Sequence, residues 1–304
     1  MKNIFSSSGG PTCRRTMCVA VAVVTAFALG ACGGGGGSSS GDETVEEQLG
    51  FESAGILQRQ ISAENFVRDC MKANGFDYVP VDPVAQQADL VGQTGLSDEE
   101  FEEQYGYGLT TLYEQRKKLV DGPNEAIRNS LSDAEKAAYD RTLYGDDPTA
   151  TFAVALDTGD YSRLGGCVKE ATAEVFGGVE VLQSLQEKLD ELDDAIIADP
   201  RMVEAISGWS SCMRDAGYEL GDPEQVDVVL LSRLEEIVGP PGNENPDYDT
   251  AALAELQRDE VSMVAADVDC EDQKITPVEE DVRAEYEAAF REENAALLSQ
   301  VPAP

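Results

Sequence analysis

The sequence predicts an all-α protein, a helical bundle built from two divergent repeats. Apolar residues recur every three to four positions along most of the chain, and Ser-x-x-Glu and Asp-Pro start signals punctuate it, while the alternation of a half-buried strand is scarce. Phe76 to Val81 is the one short extended candidate.

The elements follow in order. Ser62 opens a helix that runs to about Asn74. Ser97 with Glu100, and Ser132 with Glu135, make capping boxes, in which hydroxyl and carboxylate satisfy N–H groups that have no helical partner. The second box leads a helix bearing Ala138, Tyr139 and Leu143. A helix from about Val168 to Phe176 follows, then one from Val179 to Ala198 with Leu182, Leu185, Leu189, Leu192 and Ile196 on one stripe. Pro200, after Asp199, suits a first helical position, where an N–H would be unbonded anyway. Asp222, Pro223 and Gln225 open the next helix, which passes through Leu230, Leu234 and Val238 to Gly239. Residues 239–249, rich in Pro, Gly and Asn, read as a loop. Thr250 begins a helix placing Leu256, Met263 and Cys270 on one face. Thr276, Pro277 and Glu279 cap a last one bearing Val278, Val282, Tyr286, Phe290 and Leu297.

An internal duplication lies within this pattern. Cys70, Met71, Lys72, Gly75, Phe76 and Asp77 recur at the same spacing as Cys212, Met213, Arg214, Gly217, Tyr218 and Glu219. A helix-ending motif accounts for nearly every position: each Gly takes the left-handed conformation just past the helix, and the following aromatic folds back onto the Met. Lys72 and Arg214 sit where positive charge favours the carboxyl end of a helix. If each copy closes on itself, Cys70 pairs with Cys167 and Cys212 with Cys270, although two other pairings of these four thiols exist. Loops of this size each remove about 4 to 5 kcal/mol of unfolded-state freedom.

The amino end carries an address. Lys2, Arg14 and Arg15 precede an uncharged run from Met17 to Ala31, too short for the roughly 20 apolar residues of a spanning helix. Leu29, Gly30, Ala31 and Cys32 read as a lipobox: residues 1–31 form a signal peptide, and Cys32 becomes the first mature residue and carries the lipid, palmitate among its acyl chains. An ordinary secreted protein cut after Ala28 is the alternative, and the Arg14, Arg15 pair admits a twin-arginine route. Residues 32–42 hold that cysteine and a Gly/Ser-rich tether, residues 43–199 the first repeat and residues 200–304 the second.

Charge narrows the partners. The chain carries a net −37, and the signal holds three of its 22 basic residues and none of its 59 acidic ones, so processing makes the charge more negative still. Such a surface repels nucleic acid phosphates and favours cationic complements. Catalysis has little purchase. There is no histidine, which removes Ser-His-Asp and Cys-His chemistry. Gly208-Trp209-Ser210-Ser211-Cys212 is a near miss for Gly-x-Ser-x-Gly and falls inside a helix. The acidic clusters Glu187, Asp190, Glu191, Asp193, Asp194 and Asp267, Asp269, Glu271, Asp272 lack calcium-loop spacing and read as solvated faces. No cofactor or metal is expected. Tyr105, Tyr107, Tyr113, Tyr139 and Trp209 are candidates for an apolar pocket or partner groove, against the commoner role of aromatics as core.

The lipobox with its tether, the two Cys-Met-basic-x-x-Gly-aromatic motifs, Tyr105-Gly106-Tyr107-Gly108 and the run from Leu131 through Tyr144 and Gly145 resemble uncharacterised actinobacterial lipoproteins. The resemblance implies a location on the outer face of the cytoplasmic membrane and brings no active-site residues. The expected function is a non-enzymatic binding or scaffolding module of the cell envelope, anchored through its lipid, with an envelope protein or cationic ligand as partner. A solute-binding receptor of a transporter and a carboxylate-based glycan hydrolase are the alternatives.

Overall fold

The computed structural model describes residues 44–50, 53–92, 96–119, 122–241 and 243–303, so the signal peptide, Cys32 and the tether lie outside the described residues. The helices are α1 (Val45–Leu49), α2 (Ser53–Ala73), α3 (Pro83–Val91), α4 (Asp98–Tyr105), α5 (Tyr113–Leu119), α6 (Pro123–Asn129), α7 (Asp133–Tyr144), α8 (Phe152–Thr158), α9 (Gly166–Phe176), α10 (Val179–Ile197), α11 (Pro200–Asp215), α12 (Gln225–Val238), α13 (Thr250–Lys274), α14 (Thr276–Glu293) and α15 (Ala295–Leu298). No strand occurs among the described residues, and the fold is all-α.

Local chemistry sets the boundaries. Both capping boxes form: Ser97 and Glu100 close the start of α4, and Ser132 and Glu135 that of α7. The α10 stripe is buried as its spacing requires, Leu185 and Leu189 almost completely. Leu256, Met263 and Cys270 share the buried face of α13.

Several expectations are corrected. The helix expected from Ser62 begins at Ser53, a turn and more earlier, since the weakly amphipathic start of α2 carries no cap signal. The last expected helix divides at Asn294, so Leu297 belongs to the short α15. Phe76–Val81, the strand candidate, has no regular secondary structure and joins no ladder. Its Val79 N–H donates to Asn124 Oδ1 and its Val79 carbonyl accepts from Asn124 Nδ2, both at 2.8 Å, so one side-chain amide replaces a neighbouring strand.

Two disulfides join Cys70 to Cys167 and Cys212 to Cys270, spanning sequence separations of 97 and 58. The duplicated motif folds alike in both places. Gly75 and Gly217 adopt φ of +86° and +101°, and Phe76 N–H donates to the Met71 carbonyl at 3.0 Å as Tyr218 N–H does to that of Met213 at 2.8 Å. This is the paired helix ending that a glycine permits without strain. The likeness extends to the helices that the bridges join. Arg59 meets Val175 while Cys70 meets Cys167, so α2 and α9 run antiparallel; a Cβ on Gly208 would lie 3.8 Å from that of Lys274 while Cys212 meets Cys270, so α11 and α13 run antiparallel too.

The larger core draws on both sides of residue 199. It packs Val45, Tyr107, Tyr161, Leu182 and Leu189 with Trp209, Leu230, Leu256, Val264 and Val282. A smaller cluster of Val67, Met71, Tyr139, Leu143, Cys167 and Ala171 lies around the first disulfide, with α2, α7 and α9 as its walls. The first and last described segments meet at one pole. Val45 N–H donates to Glu287 Oε2 of α14 at 2.9 Å, and the buried Arg59 guanidinium donates to the carbonyls of Leu49, Val175 and Pro302. The C-terminal stretch crosses so close to Gly177 that a Cβ there would lie 2.3 Å from the Gln300 carbonyl oxygen.

Candidate functional site

The densest polar constellation surrounds α13, where the Tyr-Gly-Tyr-Gly loop docks. Glu260 and Asp267 stand seven positions apart on the helix, so both turn to the buried face that also carries Met263 and Val264. Glu260 is fully buried, and its carboxylate accepts from Leu109 N–H at 2.7 Å, Thr110 N–H at 2.8 Å, Thr111 N–H at 2.9 Å and Thr110 Oγ at 2.6 Å. Successive N–H groups converging on one anion form a nest, here closed by the protein's own side chain. Arg116 adds a guanidinium that donates to the Leu109 carbonyl. Burial pushes this group below the usual arginine range, while the charge of Glu260 opposes the shift.

Asp267 is buried as deeply. It accepts from Tyr107 Oη at 2.7 Å and from Trp209 Nε1 at 2.9 Å, joining the loop, α11 and α13. Its reading as a solvated residue is thus corrected, and so is that of Asp193, which is buried and meets Arg283 at 3.2 Å. The spacing of α13 carried the missed signal: Asp267 continues the Leu256, Met263, Cys270 stripe, and Glu260 falls one turn from Met263 and Val264. Acidic residues on an apolar stripe need buried donors.

The five aromatic candidates are placed in different surroundings. Tyr107 and Trp209 come together on Asp267 as fully packed core. Tyr139 is buried in the smaller cluster, edge-on to Phe76 with centroids 5.5 Å apart, and burial pushes its hydroxyl up to about 12. Tyr105 is half-buried, stacks obliquely on Phe101 and donates to the Val91 carbonyl at 3.3 Å. Tyr113, on α5, meets Tyr248 of the 239–249 loop, which sequence reasoning passed over. A hydrogen bond to the Glu114 carboxylate holds the Tyr248 proton and pushes that hydroxyl up to about 12.

A second, half-buried carboxylate system sits beside the 76–81 segment. Glu64 Oε2 accepts from Tyr78 Oη at 3.1 Å and Val81 N–H at 2.8 Å, and burial raises its pKa against the lowering effect of both bonds. Ser210, the serine of the near-miss motif, lies within α11 and donates to the Leu220 carbonyl at 2.5 Å, as a helix-to-turn fastening. Among the described residues no group of three or more Cys, Asp or Glu has the geometry of a metal site, and no helix is long and apolar enough to cross a membrane. No protein-family model, curated protein or solved structure matches the chain.

Proposed function

We propose that the chain is a lipoprotein held on the outer face of the cytoplasmic membrane, acting there as a non-enzymatic binding or scaffolding module of the cell envelope. The observation that carries this reading is the Leu29-Gly30-Ala31-Cys32 lipobox followed at once by a Gly/Ser tether. The tether ends where the folded body begins, since Val45 is fully buried and fastened to α14 through Glu287.

Further support comes from the body. Pairing of its four cysteines suits an oxidising compartment. The most deeply buried carboxylates, Glu260 and Asp267, serve as acceptors for backbone and aromatic donors, which favours a structural role for them over the paired acid chemistry of a glycan hydrolase. A solute receptor of the common type would alternate strands with helices, and this fold is all-α.

The test is expression of the full chain in a bacterial host, with membrane fractionation and mass spectrometry of the amino-terminal peptide. Acylated Cys32 in the membrane fraction, lost in Cys32→Ala, is the expected result. Unprocessed chain in the cytosol with all thiols free would overturn the reading.

A further inference from the structure

Lys117 extends its ammonium 5.2 Å from the centroid of the Tyr113 ring and 5.7 Å from that of Tyr248. The two rings stand nearly perpendicular, 83° apart with centroids separated by 6.0 Å, so they form two walls of a corner. Glu114 closes its edge by accepting from the Tyr248 hydroxyl, placing a carboxylate beside the rings. The walls come from distant parts of the chain, α5 and the loop before α13, so the corner is a product of the tertiary fold and not of helical spacing alone. A positive charge beside two aromatic faces and a carboxylate is attracted by ring quadrupoles and by Coulomb's law together, the arrangement that proteins use to recognise ammonium ligands.

In a chain with 59 acidic residues, the Lys117 ammonium has two rings as its partners and no ion pair among the described residues. The lysine is itself exposed, on a stem of four rotatable bonds that can swing into water at little cost. The Tyr113 hydroxyl, in addition, is buried with no hydrogen-bond partner among the described residues, which leaves an unused oxygen on one wall.

We infer that Tyr113, Tyr248 and Glu114 form a binding corner for a primary alkylammonium group, such as the lysine side chain of a basic partner, and that Lys117 occupies it as an internal surrogate. The bound surrogate defines the ligand class: a primary ammonium on an aliphatic stem, entering from solvent. Displacement requires only that Lys117 rotate away, so its occupancy lowers the apparent affinity for an outside ligand by the fraction of time the corner stands open. The inference gives the proposed binding module a ligand chemistry and borrows from that reading only its setting. Lipid attachment at Cys32 and ammonium binding at Tyr113 are measured separately, so either can fail alone.

The test titrates the full chain with butylammonium chloride and follows the ligand methylene protons by NMR, because protons held over an aromatic face move upfield. Lys117→Ala, with folding checked by circular dichroism, is expected to bind about tenfold more tightly than the wild-type chain, the factor for a surrogate in place nine-tenths of the time. Tyr248→Leu, which keeps apolar bulk but removes the π face, is expected to abolish the shift in the Lys117→Ala background, and Glu114→Gln to weaken it. Butanol, the neutral analogue, is expected to show none. Equal affinity in Lys117→Ala and wild type, or an upfield shift that survives Tyr248→Leu or appears with butanol, would overturn the inference.

Discussion

Replacing Glu260 by alanine removes the acceptor on which the 105–112 loop is hung. Four donors lose their partner: the N–H groups of Leu109, Thr110 and Thr111 and the hydroxyl of Thr110. Leu109 and Thr110 are buried, so water cannot replace the carboxylate without opening the loop. A hydrogen bond contributes about 1 kcal/mol net, more to a charged acceptor, and an unsatisfied buried donor costs about 1 to 3 kcal/mol. Four such losses, partly relieved by the loop lifting into solvent, give an expected destabilisation of about 4 kcal/mol, a large share of the roughly 5 to 15 kcal/mol that holds a domain together. Glu260→Gln keeps one carbonyl oxygen for the Thr110 and Thr111 donors but turns an NH2 toward the Leu109 N–H, and its expected cost is about half as great. Urea unfolding followed at 222 nm gives the free energies, and hydrogen exchange of amides 109–111 reports the loop. If Glu260→Ala unfolds within about 1 kcal/mol of wild type and those amides keep their protection, the nest does not hold the loop and the reasoning fails.

Other expected outcomes follow from the same structure. Removing the Cys70–Cys167 bridge by paired Ser substitutions should cost about 4.7 kcal/mol and removing Cys212–Cys270 about 4.2 kcal/mol in chain-entropy terms, for separations of 97 and 58; a urea midpoint unmoved by either pair would refute this. Gly217→Ala meets nothing within 4 Å and should lose only about 1 kcal/mol from its positive φ, whereas Gly177→Ala drives a methyl into the Gln300 carbonyl and should lose several times more; thermal melts in the reverse order would contradict the close crossing. The Glu64 and Glu287 carboxyls are both raised above 4.5 by burial, so the folded state binds protons more tightly than the unfolded one. Their contribution is full below about pH 4.5 and is lost as pH rises through the folded values, and Gln at either position should therefore gain on wild type between pH 4 and pH 7. A difference that shrinks over that interval would reverse the sign.

Much of this molecule is legible in its sequence, and the legible parts are those where local chemistry decides. Ser97, Ser132 and Pro200 mark helix starts because caps act within one turn, and Gly75 and Gly217 mark helix ends because no other residue adopts their φ so cheaply. The cysteine pairing followed from the repeated motif, yet the antiparallel setting of both partner helices did not, since nothing local in either motif fixes the direction of a neighbour. The short helices α3, α5, α6 and α8 have too few turns for a periodic stripe. Glu260 and Asp267 escaped because their donors lie roughly 150 and 160 residues away in the chain for the loop and 58 for Trp209, separations that only the tertiary fold collapses. The corner around Lys117 stayed hidden for the same reason: half of it is Tyr248, which reads in isolation as part of a loop.

Arg59 clasps the first and last described segments, so the folded body follows the course of a nearly closed ring. With Leu49 and Pro302 sharing one guanidinium, a short peptide bridge could join residue 303 to residue 44, and new ends could be cut in the exposed 243–247 stretch. The Cys212–Cys270 bond spans that stretch, so a protease nicking it would leave two fragments that migrate as one until a reductant is added.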